Sequence, residues 1–212
     1  PLAQARLYLE TLRLGRFHTA EQRERALETI DRETSRLATL VDNVLYFDRA
    51  ARGAARPEPV PTDLAAEASA AAQAFEPLAR ARRMDVVVDT EADARARIVP
   101  EELQQVLANL LDNAAKYGPE GQSIRLGVAR RNGVVEIAVS DAGPGVSAAE
   151  RSSIWEPFRR GASGAADVAG SGIGLAVVRE IVERHGGRVR VEDAPGGGAR
   201  FVVSLPALEG RS

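Results

Sequence analysis

The sequence predicts a two-layer α/β sandwich preceded by an antiparallel helical hairpin. Residues 2–14 and 21–51 carry apolar side chains at alternating spacings of three and four, the period of helices that pack against other helices. Later in the chain, longer helical patterns are interspersed with short segments in which apolar and polar residues alternate, as in strands. Three prolines within residues 57–61 separate the two patterns. We therefore predict two domains, residues 1–56 and 57–212.

The composition narrows the classes of protein to which the chain could belong. It has 212 residues and is 44% apolar, enough to build a sizeable core. The net charge of -2 gives no reason to expect nucleic acid as a partner, and no run of 18 apolar residues could span a bilayer. The absence of cysteine excludes disulfides and thiolate metal sites. We expect no membrane contact within this chain and, because it begins at Pro1 instead of methionine, a longer parent protein.

The N-terminal hairpin is predicted to join two amphipathic helices. The loop at residues 15–20 ends the first helix, and the second runs from about residue 21 to residue 51. The apolar stripes contain Leu2, Ala5, Leu9 and Leu12 in the first helix and Ile30, Leu37, Val41 and Val44 in the second, broadened by Leu27, Leu40 and Leu45. Because one hairpin has too little core, we expect a homodimer in which residues 1–52 form a four-helix bundle.

A linker and a capped helix are predicted next. Residues 53–61 contain the three prolines and are interpreted as the linker. Thr62 or Asp63 can cap a helix that runs from Leu64 to about Arg82. Its buried side is predicted to consist of Leu64, Ala68, Ala71, Phe75 and Leu78.

Residues 101–117 are predicted to be the central helix of the second domain. Pro100 and two acidic residues open it, and Gly118 ends it. At about 100° per residue, its apolar side consists of Leu103, Leu107, Leu110, Leu111 and Ala114. Its other side groups Asn109, Asn113, Lys116 and Tyr117. Lys116 is the only lysine among 28 Lys and Arg residues, which favours a site that needs a compact ammonium, as an anionic oxygen or a phosphate does.

The remaining elements complete a sheet. Residues 84–89 and 96–99 are predicted to be short strands. Alternation of apolar and polar residues predicts further strands at residues 123–130, 134–140, 188–192 and 200–205. Asn132-Gly133, between two of these strands, is a strong signal for a two-residue hairpin. Residues 173–185 are predicted to be helical. The sum is about three helices on one face of a mixed sheet, the predicted two-layer sandwich.

Two glycine-rich motifs follow the central helix. Asp141-Ala142-Gly143-Pro144-Gly145 ends a predicted strand, where its glycines let the backbone turn close to a ligand. Gly170-Ser171-Gly172-Ile173-Gly174-Leu175 leads into a helix, whose N-terminal N–H groups and dipole suit a phosphate. It is not a dinucleotide-binding fingerprint, because its spacing is Gly-x-Gly-x-Gly and no strand leads into it. Residues 161–172 are rich in small residues and are predicted to form a lid.

These motifs, in this order, resemble those of the sensor histidine kinases, within the ATP-binding superfamily that also includes gyrase, Hsp90 and MutL. The pattern Asn109-x-x-x-Asn113-Ala-x-Lys116-Tyr117 resembles the N box, and the two glycine-rich motifs resemble the family's glycine boxes. Trp155-Glu156-Pro157-Phe158-Arg159-Arg160 is similar to the F box, in which Phe158 packs under the mobile loop. The resemblance implies a Bergerat-type ATP-binding fold.

The resemblance also implies roles for the matching residues. Asn113 would supply an oxygen ligand to Mg²⁺, a hard cation that keeps several waters, and Asn109 would support the same face. Lys116 and Arg160 would neutralise the phosphates of ATP, and Asp141 would accept the amino hydrogens of adenine. The other residues expected to contact the nucleotide are Tyr117, Gly143, Gly145, Phe158, Gly170, Ser171, Gly172, Ile173, Gly174 and Leu175.

One position separates the subfamilies. ATP-hydrolysing relatives carry a glutamate four residues before the metal-binding asparagine, where it activates water, whereas this chain has Asn109, which cannot act as a base. Transfer to an amino-acid side chain is therefore favoured over hydrolysis, and the resemblance implies that this side chain is a histidine. The hairpin resembles the family's dimerisation and phosphotransfer domain, and Pro1-Leu2 resembles the end of its His-acid-x-x-Thr/Asn-Pro-Leu box. The acceptor histidine would then lie just upstream of Pro1, and His18 in the predicted loop would not replace it.

The resemblance thus implies the cytoplasmic, ATP-dependent histidine kinase core of a two-component system. Its phosphoryl group would pass from the histidine to an aspartate in the receiver domain of a response regulator. Without the acceptor histidine, this fragment is not expected to phosphorylate itself. The alternative is a catalytically silent nucleotide-binding and dimerisation module of the same superfamily. A serine kinase or ATPase of the superfamily is disfavoured by the helical hairpin and by Asn109.

Overall fold

The computed structural model of the chain describes residues 2–17, 19–27, 29, 30, 34, 37, 57–159 and 172–208. The chain forms two compact units, Pro1–Ala54 and Ala55–Ser212. Helix α1, Leu2–Arg13, begins the first unit. Gly15 follows it with a φ of +62°, a conformation that terminates helices and suits glycine.

A capping box opens the second helical segment of the first unit. Gln22 N donates to Thr19 Oγ1 over 3.1 Å, and Thr19 N donates to Gln22 Oε1 over 3.4 Å. The described residues between 20 and 37 are helical, in agreement with the predicted second helix. The remainder of that helix, including Val41 and Val44 of its predicted stripe, lies outside the described residues.

The second unit is built on a mixed sheet. Its strands are β1 (Val60–Asp63), β2 (Asp85–Thr90), β3 (Arg95–Ile98), β4 (Ser123–Arg131), β5 (Val134–Ser140), β6 (Arg188–Asp193) and β7 (Ala199–Pro206). Five of them form one sheet in the order β2-β4-β5-β7-β6, and β1 pairs with β3 in a separate small sheet. Within the larger sheet β2 is parallel to β4, and the other neighbouring strands are antiparallel.

One face of the sheet is covered by helices α2 (Leu64–Ala81), α3 (Pro100–Tyr117) and α4 (Gly174–Arg184). Three of the strands bury every second side chain against them: Ile124, Leu126 and Val128 from β4, Val135, Ile137 and Val139 from β5, and Phe201, Val203 and Leu205 from β7. Burying each such large apolar side chain stabilises the fold by about 1.5–3 kcal/mol. The predicted two-layer α/β sandwich is confirmed.

The central helix α3 has the predicted sides. Pro100 is its first residue, and Gly118 N ends it by donating to Ala114 O over 3.0 Å. All five residues of its predicted apolar side are buried, together with Val106 and Ala115. The predicted hairpin is also confirmed, because Asn132 and Gly133 have φ values of +48° and +80°, as a type I′ turn between β4 and β5 requires.

Two expectations for the segment before α3 are wrong. Strand β1 begins at Val60, inside the predicted linker, and pairs there with Ile98 of β3. Pro61 interrupts the sequence pattern by which a strand is predicted, although an edge strand tolerates proline. The buried side of α2 consists of Leu64, Ala68, Ala72 and Ala79, whereas the predicted residues Ala71, Phe75 and Leu78 are half-buried. Alanine occurs on most sides of α2, so hydrophobicity alone could not fix its orientation.

In the part of the chain that the structure describes, no helix combines the length and the apolar character needed to cross a membrane.

Candidate nucleotide-binding site

Asn109 joins α3 to the N-terminus of α4. Its side chain is 7% exposed, and Nδ2 donates to Gln105 O over 3.0 Å. A Cβ atom on Gly174, the first residue of α4, would lie 2.9 Å from Asn109 Oδ1. Glycine is therefore required at residue 174 by the close approach of this amide. The N box and the second glycine-rich motif, separated by about 60 residues in sequence, meet at this contact.

The polar side of α3 continues beyond Asn109 with Asn113, Lys116 and Tyr117, which are half-buried. Lys116 Nζ donates to the carboxylate of Asp112, one turn earlier in the helix. The helical period predicts that these residues lie on one side of α3, whereas the pairing of Lys116 with Asp112 was not predicted. A pair of this kind at (i, i+4) stabilises a helix by only about 0.3–0.5 kcal/mol, so an anion of higher charge can compete for the ammonium.

Asp141 is a buried carboxylate immediately after β5. It is 5% exposed, and its Oδ1 accepts the N–H groups of Gly143 over 2.8 Å and of Ala199 over 3.2 Å. No donor among the described residues bonds to Oδ2. Burial raises the pKa of Asp141 above the ordinary aspartate value, and the two backbone N–H bonds oppose this shift. One carboxylate oxygen is thus held by the protein, and the other remains available to an external N–H donor.

The turn at Asp141–Gly145 lies against the end of α3 and against the turn that precedes β7. A Cβ atom on Gly143 would lie 2.7 Å from Tyr117 O, and one on Gly198 would lie 2.0 Å from Asp141 O. Gly145 has a φ of +75°, which favours glycine. These close approaches bring Asp141 to the C-terminal end of α3, the end that carries Asn113, Lys116 and Tyr117.

Gln122, which the sequence analysis did not single out, connects the two parts of the site. Its side chain is 6% exposed. Nε2 donates to Ala114 O in the last turn of α3 over 2.7 Å, and Oε1 accepts the N–H of Ala142 over 2.8 Å. The residue lies in the loop after α3 and belongs to no motif, so its contacts follow from the fold alone.

The F box and the second glycine-rich motif are in contact where they flank the predicted lid. Phe158 N donates to Gly172 O over 2.9 Å, and a Cβ atom on Gly172 would lie 2.8 Å from Arg159 O. Phe158 has a φ of +63° and is 76% exposed. Arg159 pairs with Glu156 over 3.0 Å.

Of the other predicted residues in these two motifs, the structure describes some and not others. Ile173 is buried and Leu175 is half-buried at the start of α4. Arg160, Gly170 and Ser171, together with the remainder of the predicted lid, lie outside the described residues.

The side chains available as ligands limit how Mg²⁺ could be bound. No group of three or more His, Cys, Asp or Glu residues able to hold a metal ion occurs among the residues that the structure describes. Mg²⁺ keeps several waters and is usually bound through substrate phosphates and one or two protein oxygens. The amide of Asn113, half-buried on the side of α3 next to the two glycine-rich motifs, fits this mode of binding.

Comparisons with known families match both units. Residues 98–209 match the family described as histidine kinase-, DNA gyrase B- and HSP90-like ATPase, and residues 1–53 match the His kinase A (phospho-acceptor) domain. The alginate biosynthesis sensor protein KinB of Pseudomonas aeruginosa is 35% identical over 97% of this chain and 34% of its own length. The adaptive-response sensory kinase SasA of a Synechococcus species is 35% identical over 97% of this chain and 55% of its own length.

The chain therefore spans between about a third and about half of these two curated relatives. Two solved structures are also similar. The mycobacterial sensor histidine kinase MprB has a TM-score of 0.60 and 30% identity, over 69% of this chain and 97% of that one. Full-length ShkA in complex with AMPPNP has a TM-score of 0.69 and 27% identity, over 99% of this chain and 44% of that one. The chain belongs to the sensor histidine kinases and corresponds to their catalytic core, with an ATP-binding domain of the histidine kinase and gyrase type.

Proposed function

We propose that this chain is the ATP-dependent kinase core of a two-component system. It transfers the γ-phosphoryl group of ATP to a histidine upstream of Pro1, from which the group passes to an aspartate of a response-regulator receiver domain. The observation that carries the proposal is the meeting of three elements along the C-terminal half of α3. These are the buried Asp141, the polar side of α3 and the N-terminus of α4, where Gly174 contacts Asn109.

Adenine is proposed to bind at Asp141. The Oδ2 atom of this carboxylate accepts no hydrogen bond from a described residue, and the exocyclic amino group of adenine is a donor that it can accept. Guanine presents a carbonyl oxygen at the corresponding position, which would leave a buried carboxylate facing an acceptor. The backbone of Gly143 lies against the main chain of Tyr117, and we propose that Gly143 and the ring of Tyr117 flank the base.

The phosphates are proposed to extend along the polar side of α3 towards α4. Lys116 supplies a positive charge, and the N-terminus of α4 at Ile173, Gly174 and Leu175 supplies N–H groups and a favourable dipole. A charge-assisted hydrogen bond contributes about 1.5–3 kcal/mol, more than the half-buried (i, i+4) pair with Asp112, so Lys116 can turn to the phosphates. Arg160, Gly170, Ser171 and Gly172 are proposed to complete this part of the site.

Mg²⁺ is proposed to enter with the nucleotide and to be held by Asn113 and the phosphate oxygens. When bound, the ion neutralises the charge that develops on the transferred phosphoryl group. The residues of the chain position the nucleotide and exclude water. Phosphoryl transfer depends mostly on such positioning and electrostatics, so the site requires no covalent catalyst of its own.

The burial of Asn109 favours transfer over hydrolysis. Its Nδ2 donates to Gln105 O, and its Oδ1 faces Gly174, so the side chain is occupied by contacts within the protein. An amide cannot take a proton from water near neutral pH. A nucleotide bound here would therefore meet no general base at this position, and a histidine brought from another part of the protein would be the attacking group.

The first unit is proposed to be the dimerisation and phosphotransfer domain, residues 1–56, with the homodimer formed through residues 1–52. Within this unit Leu7, Leu9, Leu14 and Leu27 are between 49% and 64% exposed. Leu7, Leu9 and Leu27 are exposed on helical residues, and Leu9 and Leu27 belong to the predicted apolar stripes. Their exposure supports the proposal that these stripes are buried between two copies of the chain, as in a four-helix bundle.

The proposal is tested in two stages. Calorimetric titration of the chain with ATP, ADP and GTP, each with and without Mg²⁺, should show binding of the adenine nucleotides, tightening by Mg²⁺ and no comparable binding of GTP. The parent protein that includes the upstream histidine should then acquire an acid-labile, base-stable label from γ-labelled ATP. Binding without any such label would indicate the silent nucleotide-binding module, and absence of ATP binding would refute the proposed site.

A further inference from the structure

We propose that Gln122 is a positioning residue for adenine recognition and that Gly118 provides the space its amide occupies. The amide of Gln122 holds the turn that carries Asp141 against the last turn of α3. This inference rests on the proposed function, because it concerns how Asp141 is oriented towards an adenine base. It adds to that function a coupled pair of residues that lies outside the recognised motifs.

The contacts of Gln122 need both a donor and an acceptor. Its Nε2 donates to Ala114 O over 2.7 Å, and its Oε1 accepts the N–H of Ala142 over 2.8 Å. The partners are a backbone carbonyl and a backbone N–H, so a side chain with only one kind of group would leave the other unsatisfied. A carboxylate would in addition face the carbonyl oxygen of Ala114. A neutral amide is the group that matches this position.

Two further contacts fix the position of Gln122, one through its main chain and one through its side chain. The main-chain carbonyl oxygen of Gln122 accepts the N–H of Asp85 at the start of β2 over 3.0 Å, and the side-chain Nε2 also donates to the sulfur of Met84 over 3.8 Å. The side chain is 6% exposed, so water does not replace its hydrogen bonds easily. The turn bonded to it is therefore held at a defined position relative to α3.

The peptide that Gln122 holds is the one next to Asp141. Asp141 Oδ1 accepts the N–H of Gly143, and Gln122 Oε1 accepts the N–H of Ala142 between them. These two bonds fix the consecutive N–H groups of the turn. Without the second one the turn could rotate about Asp141 and move Oδ2 relative to Asn113, which precedes the Ala114 anchor by one residue.

Gly118 is required here for space and not for backbone conformation. Its φ and ψ are -82° and 158°, which any residue adopts. A Cβ atom at this position would lie 1.9 Å from Nε2 and 2.2 Å from Cδ of Gln122. The side chain of Gln122 therefore occupies the volume that any larger residue at 118 would need. Adding one methyl group at Gly118 should displace the amide from both of its partners.

The test measures the Kd of ADP and of GDP with Mg²⁺ for variants of the full chain, together with the thermal midpoint without nucleotide. Gln122→Met, similar in shape but without the amide, should raise the Kd of ADP about tenfold, the effect of losing roughly one buried hydrogen bond. The weaker binding of GDP, which makes no bond to Asp141 Oδ2, should be unchanged. Gln104→Met, an exposed glutamine on α3, is the matched control and should bind ADP as the wild type does.

The coupling between the two residues gives a second measurement. Gly118→Ala alone should also raise the Kd of ADP about tenfold, but in a Gln122→Ala background it should have no further effect, because the obstructing side chain is gone. Wild-type ADP affinity in both Gln122→Met and Gly118→Ala would overturn this inference alone, as would equal weakening of ADP and GDP. Failure of the wild-type chain to bind ADP would overturn the proposed function as well.

Discussion

Asp141→Asn tests the adenine site with the smallest change of shape. The amide oxygen of asparagine can still accept the N–H groups of Gly143 and Ala199, but an NH₂ group replaces Oδ2. Two donors, this NH₂ and the amino group of adenine, would then face each other. Loss of a charge-assisted hydrogen bond, about 1.5–3 kcal/mol, and the unsatisfied buried donor together amount to about 3–4 kcal/mol, a roughly 10²- to 10³-fold weaker binding of ATP.

The fold should survive this substitution. Burial raises the pKa of Asp141 on folding, so folding disfavours its ionised form. The contribution of such a group to stability is complete below its unfolded pKa and is lost as the pH rises through the folded pKa. Where the pH exceeds the folded pKa that contribution is lost, and asparagine removes the charge that burial disfavours. The thermal midpoint of the nucleotide-free variant should therefore equal or exceed that of the wild type.

The same raised pKa predicts how binding depends on pH. The carboxylate must be ionised to accept the amino group strongly, so ADP affinity should fall as the pH is lowered from neutrality through a pKa above the usual value of about 3.9. Calorimetry on the wild type, Asp141→Asn and the exposed control Asp89→Asn measures all three predictions. Tight ATP binding by Asp141→Asn, with its thermal midpoint unchanged, would show that adenine does not bind at this carboxylate.

Three further predictions concern the phosphate side of the site and the acceptor. Asn113→Ala should bind ADP without metal as the wild type does but lose about tenfold in Mg²⁺-dependent tightening, and undiminished tightening would exclude Asn113 as the ligand. Gly174→Ala should weaken ATP binding about tenfold because its Cβ would lie 2.9 Å from Asn109 Oδ1, whereas Gly127→Ala, 3.7 Å from its nearest neighbour, should have no effect. The chain incubated with γ-labelled ATP should acquire no phosphohistidine, which acid-labile label on His18 would contradict.

The elements of this fold that could be predicted are those specified by local patterns. The two sides of α3, the turn at Asn132-Gly133 and the glycines before α4 each follow from a period or a backbone requirement that is visible within a few residues. Strand β1 could not be found in this way, because its pairing with β3 depends on residues about 35 positions later in the chain and Pro61 interrupts its pattern.

The same distinction applies to the candidate site: some of its residues could be predicted from local patterns, and others could not. Asp141 and Asn113 could be predicted as candidate site residues, because each belongs to a motif whose residues are close together in sequence. The contact of Asn109 with Gly174 and the bonds of Gln122 to Ala114 and Ala142 arise only when distant segments are folded together. Nothing in the composition of a single loop glutamine distinguishes it from a solvated side chain. Its burial and its two partners are properties of the tertiary structure.

The buried polar residues show how the site is attached to the fold. In the described part of the chain they are Thr62, Asn109, Gln122 and Asp141. The hydroxyl of Thr62 bonds backbone carbonyls of β1 and β3, which serves the small sheet alone. The other three lie at or beside α3, and each of them contacts a segment that is distant in sequence.

A buried polar group left without a partner costs about 1–3 kcal/mol, so these bonds resist displacement of the segments they join. Gln122 holds the Asp141 turn through its two hydrogen bonds, and Gly174, the first residue of α4, packs against the amide of Asn109. Both attachments are made to α3, at Asn109 and at Ala114, only five residues apart in sequence. In the proposed site, the distance between the adenine and phosphate subsites would therefore be set by little more than one turn of this helix. A substitution that shifts that turn should weaken binding of both ends of ATP together, whereas loss of Gln122 alone should affect only the base.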